Sequence, residues 1–120
     1  MKEYTIDMHG SEWYFPLKIG IKKYEGRCNW KTAAMYRVGD ILCFYLDKVN
    51  NPDSFKAKII YVHHFPTFEA ALNKLPICDV LPGIDNVEDG VEIYKKYVSI
   101  ETQNLMGIVM IEIERILITI

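Results

Sequence analysis

Two runs rich in apolar, aromatic and β-branched residues, Asp40 to Leu46 and Phe55 to Val62, flank the tetrapeptide Asn50-Asn51-Pro52-Asp53. Asn and Asp bond back onto their own main chain and Pro presets φ, so the tetrapeptide reads as a turn. The runs on either side then read as an antiparallel strand pair. Tyr4 to Met8 alternates in polarity and suits a first strand, ended by His9-Gly10. Gly107 to Ile120 is a β-branched run with Glu112, Glu114 and Arg115 interleaved, which predicts a last strand with one wet face.

Helical signals are fewer. Ser11 is placed to cap a short segment reaching Ile19, with Trp13, Phe15, Leu17 and Ile19 on an apolar side, and Pro16 keeps it short or distorted. Thr67 is the N-cap expected for Phe68 to Leu75. Asn86 is the one expected for a helix reaching Tyr97, with Glu88 and Asp89 at its positive end. Asn29 to Tyr36 is a connecting segment. Strands with helices inserted late predict a mixed α+β fold rather than an alternating βαβ one. The 120 residues, half of them apolar, suit a single domain over 1–120.

The formal net charge of -2 excludes a protein coated in positive potential, so binding of nucleic acid needs a local patch. One exists: Lys18, Lys22, Lys23, Arg27, Lys31 and Arg37 stand against the single acid Glu25 between Leu17 and Arg37. Cys28, Cys43 and Cys78 are widely spaced, which suggests neither a disulfide framework nor a zinc site. No metal or cofactor is implied. No run of about 18 apolar residues is present to span a bilayer, and the chain reads as an intracellular protein, cytoplasmic or nuclear, with no membrane partner.

Within the basic stretch, Gly20-Ile21-Lys22-Lys23-Tyr24-Glu25-Gly26-Arg27 has the form Gly-x-Lys-x-x-Glu-x-Arg. If it is extended, Glu25 and Arg27 share one face and Lys22 lies on the other. Three charges on one strand face either water or a polar cleft. A Gly39-Asp40 turn and an apolar strand follow, then Phe65-Pro66-Thr67-Phe68-Glu69 leading into a helix, Leu81-Pro82-Gly83, a Tyr-containing helix and the last strand. In this order the elements resemble the ASCH domain family over nearly the whole chain. The resemblance implies a small PUA-like β-barrel of about five or six strands with two or three short flanking α-helices, its cleft lined by the octapeptide.

By their chemistry, Lys22 and Arg27 suit a phosphate, and Glu25 suits a donor on a base edge. Trp30, Tyr24 and Tyr36 are rings near the basic patch that can stack on bases. The expected ligand is RNA or a nucleotide, held by Lys22, Glu25, Arg27, Trp30 and Tyr24. The alternative is a hydrolase acting on RNA or on a modified nucleoside, with Lys22 and Glu25 as the catalytic pair and a hydroxyl from Ser99 or Tyr97 nearby. Some ASCH proteins are amidohydrolases on acylated cytidine with a threonine nucleophile two places before the arginine. Glu25 stands there in this chain and cannot be acylated in the same way. A protein partner bound through Trp13 and Phe15 is the third class.

His63-His64 has adjacent side chains pointing to opposite faces of a strand, so the two cannot share a metal and at most one faces a cleft. Asp85, Glu88, Asp89 and Glu92 match no calcium loop and read as a solvated helix face. Tyr94 and Tyr97 share a helix face packed on the barrel, at the cleft rim.

Overall fold

The structure is a computed structural model that describes residues 1–117. Five strands, β1 (Glu3–Asp7), β2 (Tyr24–Cys28), β3 (Ile41–Asp47), β4 (Asn51–Phe65) and β5 (Ile108–Arg115), form one sheet in the order β1-β3-β4-β5-β2. The sheet curls into a half-barrel. β1 runs parallel to β3, and the other neighbours are antiparallel. Among the described residues there are five α-helices: α1 (Tyr14–Ile19), α2 (Phe68–Lys74), α3 (Ile77–Val80), α4 (Val87–Lys95) and α5 (Ile100–Met106). The mixed α+β class is as expected.

The expected β3–β4 pair forms, with the reversal at 48–50 rather than at the Asn-Asn-Pro-Asp tetrapeptide. Asp47 turns the chain, its Oδ1 accepting from the main-chain N–H of Val49 and Asn50, and Asn51 is already paired across from Asp47. Pro52 therefore sits at the start of β4.

Val109, Ile111 and Ile113 on one face of β5 join Leu42, Phe44, Ala57 and Ile59 inside the half-barrel, closed over by Tyr14 and Leu17 of α1. Ile108 and Met110, on the other face, join Phe68, Leu72, Leu81 and Tyr94 from the helical side. The expected wet face is thus confined to the C-terminal half of β5, because the helical layer covers its first half. Residues 118–120 of the expected last strand lie outside the described residues.

Pro16 occupies the first turn of α1, where its missing N–H has no intrahelical partner to lose. Thr67 accepts from Ala70 N–H and Asn86 from Asp89 N–H, as their cap positions predict. Two helices go beyond the expected two or three. The four residues of α3 are too few to show a 3.6-residue period. α5 does carry a signal, Ser99 as N-cap and Gly107 at its end. Gln103 then anchors α5 to α2, its side-chain oxygen accepting from Phe68 N–H.

Candidate functional site in the open seam

β1 and β2 are the two edges of the sheet and do not pair with each other. The gap between them is a cavity of about 780 Å3 lined from one side by Thr5 to Met8 and from the other by Glu25 to Cys28. Main-chain bonds to β3 run through Lys2 and Met8, so by alternation Thr5 and Asp7 turn their N–H and C=O groups toward the seam. On either side of β2, Lys23 O accepts from Ile113 N–H of β5 and Asn29 N–H donates to Gly107 O just before β5, which leaves Gly26 facing the seam in the same way. An unclosed barrel thus presents free main-chain donors and acceptors to whatever fills it.

Lys22 precedes β2, in non-strand backbone tied to α1 by its N–H bond to Pro16 O and to α3 by the bond from Lys23 N–H to Asp79 O. Strand alternation therefore does not apply to it. Its side chain enters the same cavity as Glu25 and Arg27 instead of the opposite face. Lys22 is 2% exposed, and its ammonium group donates to Val80 O and lies 5.6 Å from the Trp13 ring centroid. Burial brings its pKa down to about 8, with Glu25 opposing that shift and Arg27 adding to it.

Glu25, 6% exposed, accepts two bonds from Arg27 at 3.1 Å and 2.7 Å, both on Oε2. Among the described residues its Oε1 has no hydrogen-bond partner. The Glu25 carboxylate raises the pKa of Arg27 above its ordinary value, so the guanidinium stays charged. Arg27 also reaches across the seam to within 3.8 Å of Met8 Sδ. With Lys31 and Asp7 also in the lining, three cations and two carboxylates leave the cavity net positive while Lys22 is protonated.

Trp30 is at the mouth, 52% exposed, with Lys31 Nζ 5.9 Å from its ring centroid. Tyr36 is a buried wall of the cavity. Tyr24 is not part of the lining. Strand alternation turns its ring into the helical core, edge-on to His63 at 5.7 Å, and removes it from the expected ligand set.

Gly26, the residue between Glu25 and Arg27, is required by packing. A Cβ there would lie 2.8 Å from Phe68 Cε1 and 3.0 Å from the Tyr94 ring. Phe68 and Tyr94 stack against it with centroids 3.9 Å apart. Tyr94 Oη and Trp13 Nε1, both in cavity-lining residues, are buried with no hydrogen-bond partner among the described residues, and burial pushes the Tyr94 phenol far above its usual pKa. Orphaned buried polar atoms are uncommon, and in a cavity wall they are free to bond to water or to a bound group.

Trp13 is half-buried and Phe15 is 51% exposed, so they do not form one exposed patch. Ser99 is occupied in capping α5, whereas Tyr97 reaches the mouth of the cavity. His63 pairs with Glu112 at 2.9 Å, away from the cavity. Nothing local in the sequence connects Trp13 to the residues brought in by β2, and Met8 carries only the signal of a strand end.

The fold recurs in solved structures. The crystal structure of hypothetical protein PH0355 is 32% identical, with a TM-score of 0.83 over 97% of this chain and 100% of that one. The chain belongs to the same family as PH0355. The solution NMR structure of protein PF0455 from Pyrococcus furiosus is 27% identical, with a TM-score of 0.75 over 95% of this chain and 97% of that one. No protein-family model and no curated protein matches the chain.

Proposed function

We propose that this protein is an ASCH-type module with a PUA-like half-barrel that holds a nucleotide or a short single strand of RNA in the seam cavity. The observation that carries the reading is the lining itself. Among the described residues one pocket combines three cations (Lys22, Arg27 and Lys31), the carboxylates of Asp7 and Glu25, the latter with a free oxygen, two unpartnered buried donors and exposed aromatic surface at its mouth. Its volume is in the range of small-ligand sites, roughly 300–1,000 Å3.

A base entering the seam is flat enough to lie between the edge strands. Its donors meet Glu25 Oε1 and the main-chain carbonyls; its acceptors meet Trp13 Nε1, Tyr94 Oη and the Lys22 ammonium. Arg27 and Lys31, nearer the mouth, meet phosphate, with Arg27 held in place by Glu25. Trp30 stacks on a base or sugar at the entrance.

The test is RNA and nucleotide binding by the parent and by a Lys22→Ala, Arg27→Ala double variant, with folding of each checked by circular dichroism. Binding that is salt-sensitive in the parent and lost in the folded variant supports the reading. A folded variant that binds as well as the parent refutes it.

One observation favours hydrolysis as a second reading. The Lys22 pKa of about 8 places a proton acceptor near neutrality inside the cavity, next to Glu25. That reading predicts product from short RNAs or modified nucleosides, detected by mass spectrometry and abolished by Lys22→Ala.

A further inference from the structure

We propose that the ligand is a single-stranded RNA rather than a free nucleotide, and that a neighbouring nucleotide lies in a second groove on the far side of Tyr36. This inference rests on the reading of the seam cavity as a nucleotide site. The groove, about 610 Å3, is lined by Asn29, Tyr36, Arg37, Tyr61, Val62 and His64 among others.

Three features converge there. First, the two pockets share a wall. Tyr36 lines both, and the segment from Asn29 to Arg37 passes between them, sending Trp30 and Lys31 to the cavity and Asn29 and Arg37 to the groove.

Second, the groove carries uncompensated positive charge. Among the described residues Arg37 has no carboxylate partner. Its Nη1 donates to the carbonyls of Ala34 and Tyr36 at 3.3 Å and 3.0 Å, which orients the fork and leaves Nε and Nη2 free. No Asp or Glu lines the groove. A planar guanidinium held by one edge is preorganised for phosphate.

Third, the groove has an aromatic platform. Tyr61 is 55% exposed, and its ring leans against that of His63, tilted by 45° with the centroids 4.4 Å apart. His63 is in turn fixed by Glu112 at 2.9 Å. A ring that is exposed yet braced on one side loses less freedom when a base stacks on it.

Trp30, Lys31, Arg37 and Tyr61 thus interleave aromatic surface with positive charge along one path from cavity to groove. That combination is how single strands are bound without base-specific readout. A free nucleotide fills only the cavity, whereas a strand engages both pockets through adjacent nucleotides.

The experiment compares the four nucleoside monophosphates with a random-sequence RNA hexamer, measuring affinity by calorimetry across a salt series. The proteins are the parent, Tyr61→Ala, Arg37→Gln and the Lys22→Ala, Arg37-intact, Arg27→Ala double variant. Both groove positions have exposed or partly exposed side chains, so these substitutions leave the cores in place. The parent is expected to bind the hexamer at least about tenfold more tightly than any monophosphate. Tyr61→Ala and Arg37→Gln each weaken the hexamer about tenfold and leave monophosphate binding unchanged. Arg37→Gln also lowers the salt slope by about one.

A hexamer bound no more tightly than a monophosphate overturns the inference. So does hexamer binding that survives both groove substitutions but is lost in the double variant, and in that case the cavity reading stands alone. Binding of every ligand that is indifferent to Lys22 and Arg27 overturns the cavity reading and this inference together.

Discussion

Replacing Lys22 with methionine is expected to make the protein more stable while removing a donor from the cavity. The pKa of Lys22 falls from an ordinary 10.5 to about 8 because its ammonium group is fully desolvated. The gap between those values, at about 1.36 kcal/mol per pH unit, means that keeping the charge buried costs about 3 kcal/mol. Methionine has a similar length and no charge to bury. It forfeits the bond to Val80 O, whose loss offsets about 1 kcal/mol. The net gain at pH 7 is therefore about 2 kcal/mol.

The pH dependence has a definite sign. Because the folded value lies below the unfolded one, the unfolded chain binds the Lys22 proton more tightly between about pH 8 and pH 10.5. The cost is fully present below the folded value and fades as pH rises across that window. The parent thus gains stability there relative to Lys22→Met, and the gap between the two proteins closes or reverses by pH 10.5. Urea unfolding of both proteins at pH 7 and through the window measures this difference, in which other titrating groups cancel. A methionine variant no more stable than the parent at pH 7, with a difference flat across the window, refutes the reasoning. A residue that destabilises its own fold by this much fits a role in binding better than one in packing.

Other outcomes follow from the same geometry. Gly26→Ala is expected to destabilise by about 1–3 kcal/mol in thermal or urea unfolding, because the new methyl meets the stacked Phe68 and Tyr94 rings at 2.8–3.0 Å. Arg27→Ala leaves the buried Glu25 carboxylate without its partner and costs about 2 kcal/mol in urea unfolding. This is less than breaking a fully buried pair, because the Arg27 side chain is 37% exposed. Adding Glu25→Gln to Arg27→Ala restores much of that loss. Thr67→Ala and Asn86→Ala each remove a cap and are expected to cost about 1 kcal/mol, read as shifts in the urea midpoint. The Asp40 carboxylate is held below its ordinary pKa chiefly by the Lys2 N–H bond, helped by Arg37 N–H, so its contribution is present above the unfolded value and lost as pH falls through the folded one. Asp40→Asn should therefore show a shallower loss of stability in acid than the parent.

The sequence alone determined features governed by neighbours along the chain. Thr67 and Asn86 announce their helices because a cap bonds to an N–H three residues away, and the β3–β4 pair follows from two apolar runs joined by a short turn. The charged octapeptide also marks Glu25 and Arg27 as one-faced partners, since strand alternation is local. α3 is too short to show a period, and alternation sets Tyr24 opposite Glu25 and Arg27 without showing that the helical layer covers that face. Tertiary structure alone decided where Lys22 points, because the strand begins after it and α1 and α3 hold its backbone. It also decided that the half-barrel stays open, so that Met8 and Trp13, from the β1–α1 connection, and Tyr94, from α4, meet the octapeptide in one cavity. No spacing in a linear chain encodes that meeting: it depends on sheet order and curl, which follow from burying both faces of β5 at once.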